Sequence, residues 1–508
     1  MNRLCRLLSS AACALTLAAT PLLSQQDLPP SAPQPTLPPT AKDAAKPSAQ
    51  EPGAGAQVHT GTSSGLDIDT RLRNLLADHQ FLRIQSQLDQ LPPAQAQFYR
   101  GILANRSNDS KTSIRLLEPL AEQVAASGDK PAEKLLRKAL AEDYLRSGDV
   151  AKAAAAYQLL ATRLDDQLTP DERDEIELPL KLLPLVVSNP PTTADPCEPF
   201  ELQVSKNPLG LIDIPVWVDA RPHSWMLDPT APFNLIARSL AREVGLKVSS
   251  EASTIHTLTG HSMQVHTAVI PRFTIGGRLT LRNMTVFVYE DADYAFPKSG
   301  YQVQGVLGYP ALVVLGSLTI TDYNTVEVQP ASQPASLPEA DPAHPKANVP
   351  PQERAAREAS TLAAPQAPSV VQSPPQGVPF FLDGDQIVAA LGSVGDERMF
   401  VIDAGSQQTY MTSRYYAEHM EEFNGKRQQL FNMPAVTGLP PQPAFVAETV
   451  PLEVGANTVH VHFVLVFTQP FRQSALDDLY GVLGVDALDQ LKAYTFDYRT
   501  MRFSVRPE

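Results

Sequence analysis

Two aspartates end apolar segments of this chain and are the residues best placed for acid–base chemistry. Asp403 follows Phe400–Ile402, and Asp228 follows Trp225–Leu227. Three apolar residues that run into an acid indicate a buried strand ending at a tight turn. If the turns brought the carboxylates together, the pair would hold one proton, because like charges about 3 Å apart cannot both ionise. One carboxylate could then accept a proton while the other donates one.

The sequence around each aspartate is repeated along the chain at nearly equal spacing. A Gly-Val-Leu-Gly segment begins 77 residues after Asp228, at Gly305, and the same four residues begin 78 residues after Asp403, at Gly481. An Asp-Tyr pair and a short alternating segment follow in each half: Asp322-Tyr323 with Thr325–Val328, and Asp497-Tyr498 with Met501–Val505. Four features in the same order indicate a duplicated lobe.

Short strands and one brief helix in each half predict two mostly-β, barrel-like lobes. The predicted strands are Leu211–Ile214, Val216–Val218 and Thr285–Tyr289 in the first lobe, and Ile387–Leu391 and Val459–Phe467 in the second. One predicted helix spans Asn234–Gly245, and its counterpart ends near Gly425. Gly260 and Gly438 are expected near the tips of hairpins.

The order of apolar residues, an acid, a turn and a later Leu-Gly pair resembles that of the retropepsin-like aspartic peptidases. Two such lobes in one chain are similar to the bilobal arrangement of pepsin. The resemblance covers about half of the chain, residues 200–328 and 377–508. It implies hydrolysis of peptide bonds by a water molecule that Asp228 and Asp403 activate, without a metal, a cofactor or a covalent intermediate.

The resemblance also implies how a substrate would bind. A peptide or unfolded protein would lie extended in the groove between the lobes, paired through its backbone as an added strand. The loops around it would contain Ala404, Gly405, Pro229, Thr230, Gly260 and Gly438. Because both lobes are in one chain, we expect a monomer with its two lobes paired.

The triplets that follow the aspartates depart from the family pattern, Asp-Thr/Ser-Gly. The hydroxyl of the second residue bonds across the pair in that pattern, but Pro229 and Ala404 have no hydroxyl. The third residue is the expected glycine at Gly405 and is Thr230 in the first lobe. A proline also removes one backbone donor. The alternative is therefore a degenerate pseudo-peptidase that binds peptides or partner proteins without cleaving them.

The chain begins with a predicted signal peptide at 1–24, with Arg3 and Arg6 before an apolar run and cleavage near Ser24. An uncleaved anchor and lipidation at Cys13 are the alternatives. After cleavage only Cys197 remains, which excludes an intramolecular disulfide and suits a bacterial envelope. We expect a periplasmic or extracellular protein. A net charge of −14 argues against nucleic acid or an anionic membrane surface as a partner.

The remaining segments complete the predicted domain organisation. Residues 25–65 and 329–376 are rich in Pro and Ala and are predicted to be flexible linkers. Residues 66–187 have helical periodicity, and the small residues of Ala139–Asp149 and Ala153–Tyr157 are similar to a tetratricopeptide repeat. Thr169–Glu172 predicts a capped helix start. This helical domain is either a platform for a partner protein or peptide, or a spacer that packs on the lobes.

Two other patterns lead to no predicted site. Residues 61–65 fit the GxSxG motif of serine hydrolases, but a low-complexity segment precedes them instead of a strand. His460 and His462 alternate on one strand face, yet no third metal ligand is obvious. We therefore predict no metal site.

Overall fold

The computed structural model describes residues 63–187, 192–256, 262–296, 300–322, 324–330, 377–383, 386–393, 395–431, 441–471 and 475–505. They belong to one compact unit, Thr62–Glu508. The predicted signal peptide, nearly all of both predicted linkers, and Gly260 and Gly438 lie outside the described residues. Within the described part of the chain, no helix combines the length and apolar character that a membrane span requires.

The first described region is helical, as the sequence predicts. Its helices are α1 (Ser63–Ala77), α2 (Phe81–Gln85), α3 (Pro93–Arg106), α4 (Ser110–Leu117), α5 (Ala121–Ser127), α6 (Lys130–Arg146), α7 (Val150–Arg163) and α8 (Pro170–Val187). The side chains of Asp109, Asp129 and Asp149 cap α4, α6 and α7 by accepting from backbone amides at their starts. Before α8, Thr169 and Glu172 exchange side-chain-to-backbone hydrogen bonds of 2.9 and 3.2 Å, a capping box.

The first lobe consists mainly of short strands. They are β1 (Thr193–Ala194), β2 (Phe200–Gln203), β3 (Ser205–Lys206), β4 (Ile212–Val218), β5 (Arg221–Leu227), β6 (Leu235–Ala237), β7 (Ser253–His256), β8 (Ser262–Ile275), β9 (Leu279–Tyr289), β10 (Ala295–Phe296), β11 (Tyr301–Gln302), β12 (Gly305–Leu307), β13 (Ser317–Thr321) and β14 (Thr325–Gln329). The helices α9 (Arg238–Glu243) and α10 (Tyr309–Leu315) accompany them. Pairing runs β9–β6–β12–β5–β4–β8 and returns to β9.

The predicted helix at Asn234–Gly245 is wrong in its first part. Leu235–Ala237 forms β6, which lies between β9 and β12, and only Arg238–Glu243 is helical. All three β6 side chains are buried. A continuous apolar run of this length is compatible with either a helix or a strand, and here pairing on both sides decides for the strand.

The second lobe repeats the first. Its strands are β15 (Val378–Asp383), β16 (Gln386–Leu391), β17 (Arg398–Ile402), β18 (Tyr410–Met411), β19 (Gln429–Phe431), β20 (Gln442–Val454), β21 (Asn457–Phe467), β22 (Gly481–Leu483), β23 (Ala493–Asp497) and β24 (Arg502–Val505), with helices α11 (Ser413–His419) and α12 (Val485–Leu488). β22 is parallel to β17 and antiparallel to β18, as β12 is to β5 and β6. The two halves therefore share a topology around their aspartates.

A sheet of six strands joins the lobes. Its order is β2–β14–β13–β23–β24–β15, so the central pair, β13 and β23, comes from different lobes. Thr319 and Thr495 are opposite each other in this pair, with their hydroxyl oxygens 2.8 Å apart. The three strands that each lobe contributes are paired in the same way, which gives the sheet an approximate twofold relation.

The helical region also packs on the second lobe. Phe81 of α2 is 1% exposed, and its ring lies 4.9 Å from that of Phe381 in β15. The carboxylate of Asp383, at the end of β15, lies 2.8 Å from His79 Nδ1 and 3.3 Å from Arg106 Nη1. Burial of these apolar rings, together with the ion pairs of Asp383, holds the helices against the lobe that contains Asp403.

Candidate active site

Both aspartates stand directly after buried strands, at the ends of β5 and β17. The backbone N–H of Asp228 donates to the carbonyl of Leu307 at 3.1 Å, and that of Asp403 donates to Leu483 at 2.9 Å. Each turn is therefore pinned to the Leu-Gly segment of its own lobe. The sequence repeat predicts this association, and the parallel pairs β5–β12 and β17–β22 produce it.

The two aspartate turns also share the backbone hydrogen bonds that follow each aspartate. Ala231 N–H donates to the carbonyl of Asp228 at 3.2 Å, and Ser406 N–H to that of Asp403 at 3.1 Å. The carbonyl of Ala231 then accepts from the first residue of α10, and the carbonyl of Ser406 from the first residue of α12, both at 2.8 Å. The turns are thus equivalent residue by residue.

Two polar side chains support the turns, and sequence reasoning missed both. Asn234 Oδ1 accepts from Gly308 N–H at 3.1 Å, and Thr409 Oγ1 accepts from Gly484 N–H at 2.9 Å. Both residues are buried. Each stands six residues after its aspartate and just before β6 or β18. That equal spacing is a signal that could have identified them.

The glycine of each Leu-Gly pair is required by close approach of the backbone. A β-carbon at Gly308 would lie 2.3 Å from the carbonyl oxygen of Phe233, and one at Gly484 would lie 2.6 Å from the carbonyl carbon of Gln408. These contacts are backbone, which cannot move aside cheaply. The absence of a side chain lets the segment after β12 or β22 lie against the aspartate turn.

The two carboxylates meet at Gly405. A β-carbon on this residue would lie 2.7 Å from Asp228 Oδ2 and 3.0 Å from Asp403 Oδ1. Both oxygens are therefore close to a single point, and the two carboxylates are neighbours across the lobe boundary. Glycine in this position leaves the room that the pair occupies.

The residues after the aspartates donate to them unequally. Asp228 Oδ1 accepts from Thr230 N–H and Thr230 Oγ1, each at 3.2 Å, and from Ala231 N–H at 3.1 Å. Asp403 Oδ1 accepts from Gly405 N–H at 2.8 Å. Thr230, which replaces the expected glycine, thus adds a hydroxyl donor. Pro229 and Ala404 are both buried, with no hydroxyl to contribute.

The electrostatics of the pair favour one shared proton. Burial, and after it the charge of Asp228, raises the pKa of Asp403 to about 7, against the backbone N–H groups of Gly405 and Ser406. Burial also raises the pKa of Asp228, against its three donors. The pair can therefore hold a proton near neutrality, with one oxygen acting as an acid and another as a base.

Two tyrosines, Tyr294 and Tyr410, interact electrostatically with the aspartate pair. Burial raises the pKa of Tyr294, and the charges of Asp228 and Asp403 raise it further. Tyr410, in β18, faces Asp403, and burial followed by that charge raises its pKa. These phenols remain protonated at neutral pH.

The remaining features that the sequence singled out are the loop residues Gly260 and Gly438 and the alternating histidines His460 and His462. Gly260 and Gly438 lie outside the described residues. The side chains of His460 and His462 are exposed on β21, where His462 Nδ1 lies 2.9 Å from Thr449 Oγ1. Among the described residues, no group of three or more His, Cys, Asp or Glu side chains is arranged to hold a metal ion.

Residues 214–311 match the family model described as aspartyl protease. This segment runs from β4 into α10 and contains Asp228 and the Leu307-Gly308 turn, while Asp403 lies outside it. Among solved structures, the chain is similar to a retropepsin-like aspartic protease from Rickettsia conorii, at 16% identity over 26% of this chain and 94% of that chain, with a TM-score of 0.20. It is also similar to conglutin gamma, a basic 7S globulin from lupine seeds, at 10% identity over 61% of this chain and 94% of that chain, with a TM-score of 0.30. No curated protein matches the chain.

Proposed function

We propose that this chain is an exported aspartic endopeptidase in which Asp228 and Asp403 activate a water molecule for peptide hydrolysis. The observation that carries the proposal is the convergence of two carboxylates, from equivalent turns of two equivalent lobes, on the position that a β-carbon of Gly405 would occupy. The family match of residues 214–311 supports the same conclusion for the first lobe.

The hydrogen bonds suggest different roles for the two acids. Asp228 accepts from two backbone N–H groups and one hydroxyl, which stabilise a negative charge. Asp403 has the raised pKa of about 7 and holds the proton. Ionised Asp228 then takes a proton from the attacking water, and Asp403 donates its proton to the scissile carbonyl oxygen. When the resulting gem-diol collapses, Asp228 donates its proton to the leaving nitrogen and a diol hydroxyl gives its proton to Asp403, so the amine is released and the pair again holds one proton.

The wider proposal concerns the substrate and the location of the protein. Each lobe is interpreted as a barrel, which the returning circuit of strand pairs in the first lobe supports. An extended peptide or unfolded protein would bind in the groove between the lobes by backbone pairing. The amino-terminal signal peptide would direct the chain to the periplasm or outside the cell.

The second candidate is a pseudo-peptidase that binds peptides or partner proteins without cleaving them, with the helical region as a scaffold. The observation that favours it is the loss of both bridging hydroxyls at Pro229 and Ala404. A third candidate is an envelope scaffold in which the helical region itself binds a partner, and deletion of 66–187 addresses it.

Asp403→Asn and Asp228→Asn test the peptidase. Each variant keeps the shape of the side chain and removes an ionisable group, so cleavage of an unfolded protein at mildly acid pH should fall at least about 100-fold, in line with the loss of an acid–base catalyst. The matched control is Asp219→Asn at an exposed turn of the first lobe, where the same substitution should leave the rate unchanged.

The outcomes separate the candidates. If the wild-type chain cleaves and both variants do not, the dyad carries the activity. If the wild-type chain binds the unfolded protein but releases it intact, the pseudo-peptidase replaces the enzyme. Equal cleavage by the wild-type chain and Asp403→Asn would rule out a shared-proton mechanism.

A further inference from the structure

The structure contains a cross-lobe hydrogen bond at Pro229, one of the two positions where a bridging hydroxyl is missing. The hydroxyl of Tyr498 donates to the carbonyl of Pro229 at 3.0 Å, in a buried position. Tyr498 follows β23 in the second lobe, and Pro229 follows Asp228 in the first. This bond ties the Asp228 turn to the opposite lobe.

We propose that Tyr498 is a positioning residue for Asp228, which it holds through the peptide group between Pro229 and Thr230. The proposal rests on the peptidase function proposed above and adds a residue to its machinery. Tyr498 acts through the turn, because its hydroxyl bonds to backbone and not to the carboxylate.

One peptide group connects the tyrosine to the acid. The carbonyl that accepts from Tyr498 belongs to the same peptide group as the N–H of Thr230. That N–H donates to Asp228 Oδ1 at 3.2 Å. A hydrogen bond to a peptide oxygen polarises the group and strengthens its N–H as a donor. The Tyr498 hydroxyl therefore fixes the turn and favours the ionised form of Asp228.

The ring of Tyr498 is held firmly. It is 3% exposed, stacks on Phe496 at 6.2 Å, and meets the rings of Phe380 and Tyr309 edge to face at 5.9 and 5.7 Å. This packing leaves the hydroxyl little freedom. It also means that Tyr498→Phe removes one oxygen while the ring contacts remain.

The titratable groups that face Asp228 come from both lobes. Asp403 lies beside it in the pair, and the charge of Asp228 also raises the pKa of Tyr294 and of Tyr498. The ring of Tyr309 packs against that of Tyr498, and Tyr309 interacts electrostatically with Arg146 of α6. The tyrosines and the arginine keep their protonation state over the acid range. A shift in the acid limb of the pH–rate profile of Tyr498→Phe therefore reports a changed pKa of the aspartate pair.

The first test is the pH profile of Tyr498→Phe with a peptide substrate. Loss of the bond that polarises the peptide group weakens the Thr230 N–H as a donor to ionised Asp228 and raises the pKa of that acid, so the acid limb of kcat/KM should move up by roughly 0.5–1 pH unit. We expect kcat to fall several-fold and KM to stay near its wild-type value. Tyr494→Phe is the control, since Tyr494 is a buried tyrosine of β23 beside Phe496 and Phe503. Its acid limb should not move, and equal shifts in both variants would overturn the proposal.

The second test does not depend on cleavage. The destabilisation caused by Tyr498→Phe, measured by urea unfolding, should grow as pH rises through the range in which Asp228 ionises. In an Asp228→Asn background the same substitution should cost the same at every pH. If the destabilisation by Tyr498→Phe depends on pH but the wild-type chain cleaves no substrate, the proposed peptidase function fails, while the coupling of Tyr498 to Asp228 is supported. If the wild-type chain cleaves its substrate but the destabilisation by Tyr498→Phe is the same at every pH, only the proposed role of Tyr498 fails.

Discussion

Asp228 and Asp403 follow equivalent strands but have different surroundings. Asp228 accepts from Thr230 twice and from Ala231, whereas Asp403 accepts from Gly405 and Ser406. The substitution of threonine for glycine at position 230 thus compensates in part for the proline before it. In the proposed mechanism these unequal donors favour the charge on Asp228 and the proton on Asp403, which a symmetrical pair would not do by itself.

The raised pKa of Asp403 predicts a stability that falls with pH. Its folded pKa, about 7, exceeds its unfolded pKa, so the native state binds a proton that the unfolded state has released. This contribution is complete at pH values below the unfolded pKa and is lost as pH rises through 7. Asp403→Asn should therefore raise the free energy of unfolding at pH 8 by on the order of 2–4 kcal/mol and leave it unchanged at pH 3.

Urea unfolding across this pH range measures the effect. The exposed Asp219→Asn should show no pH-dependent difference from the wild-type chain. A constant difference for Asp403→Asn at all pH values would mean that Asp403 titrates normally, and the assignment of the shared proton would fail.

At the scale of the elements, each site is a strand that ends in an acid, crossed by a Leu-Gly segment and supported by a polar side chain. The duplicated spacing made the strands, the acids and the glycines predictable. Asn234 and Thr409 were not predicted: their equal spacing from the aspartates marks the positions, but the hydrogen bond of each to a glycine about 75 residues away is not visible in the sequence. The first part of the predicted helix at Asn234–Gly245 was wrong for a related reason: residues 235–237 form the strand β6 because they pair with β9 and β12, which are distant in sequence.

Asn234→Ala tests the support of the first turn. The change leaves the buried N–H of Gly308 without the acceptor Asn234 Oδ1 and removes one donor from the carbonyl of Thr285. We expect a loss of about 1–3 kcal/mol in the free energy of unfolding, with reduced cleavage because the Asp228 turn is released. Asn424→Ala at an exposed position should change stability by less than about 0.5 kcal/mol. Equal effects of the two substitutions would show that Asn234 does not hold the turn.

At the scale of the whole molecule, three regions act as one body around the pair. The six-stranded sheet joins the lobes through β13 and β23, and the helical region packs on the second lobe through Phe81. Packing of this kind favours the spacer interpretation of the helical region over a free-standing platform. Its outward faces remain a proposed partner surface.

Phe81→Ala tests whether the helices depend on the lobe. Removal of a fully buried ring that packs on Phe381 should lower the free energy of unfolding by about 3–5 kcal/mol. Limited proteolysis should then cut first in the helical region. Phe463→Ala, at a ring that is 77% exposed, is the matched control and should have little effect. An unchanged stability for Phe81→Ala would mean that the helical region folds without the lobe.

The sequence by itself determined the duplication, the two acids with their Leu-Gly partners, the mostly-β character of the lobes and the helical character of the first region. These features are periodic or local, and a strand that ends in an acid is visible in the order of residues. Only the tertiary structure decided that the carboxylates meet at Gly405, that Tyr498 reaches Pro229 from the other lobe, and that Asn234 and Thr409 hold the turns. The physical reason is that each of these contacts joins residues from distant segments, and its partner is set by how the sheets pack and not by neighbouring residues.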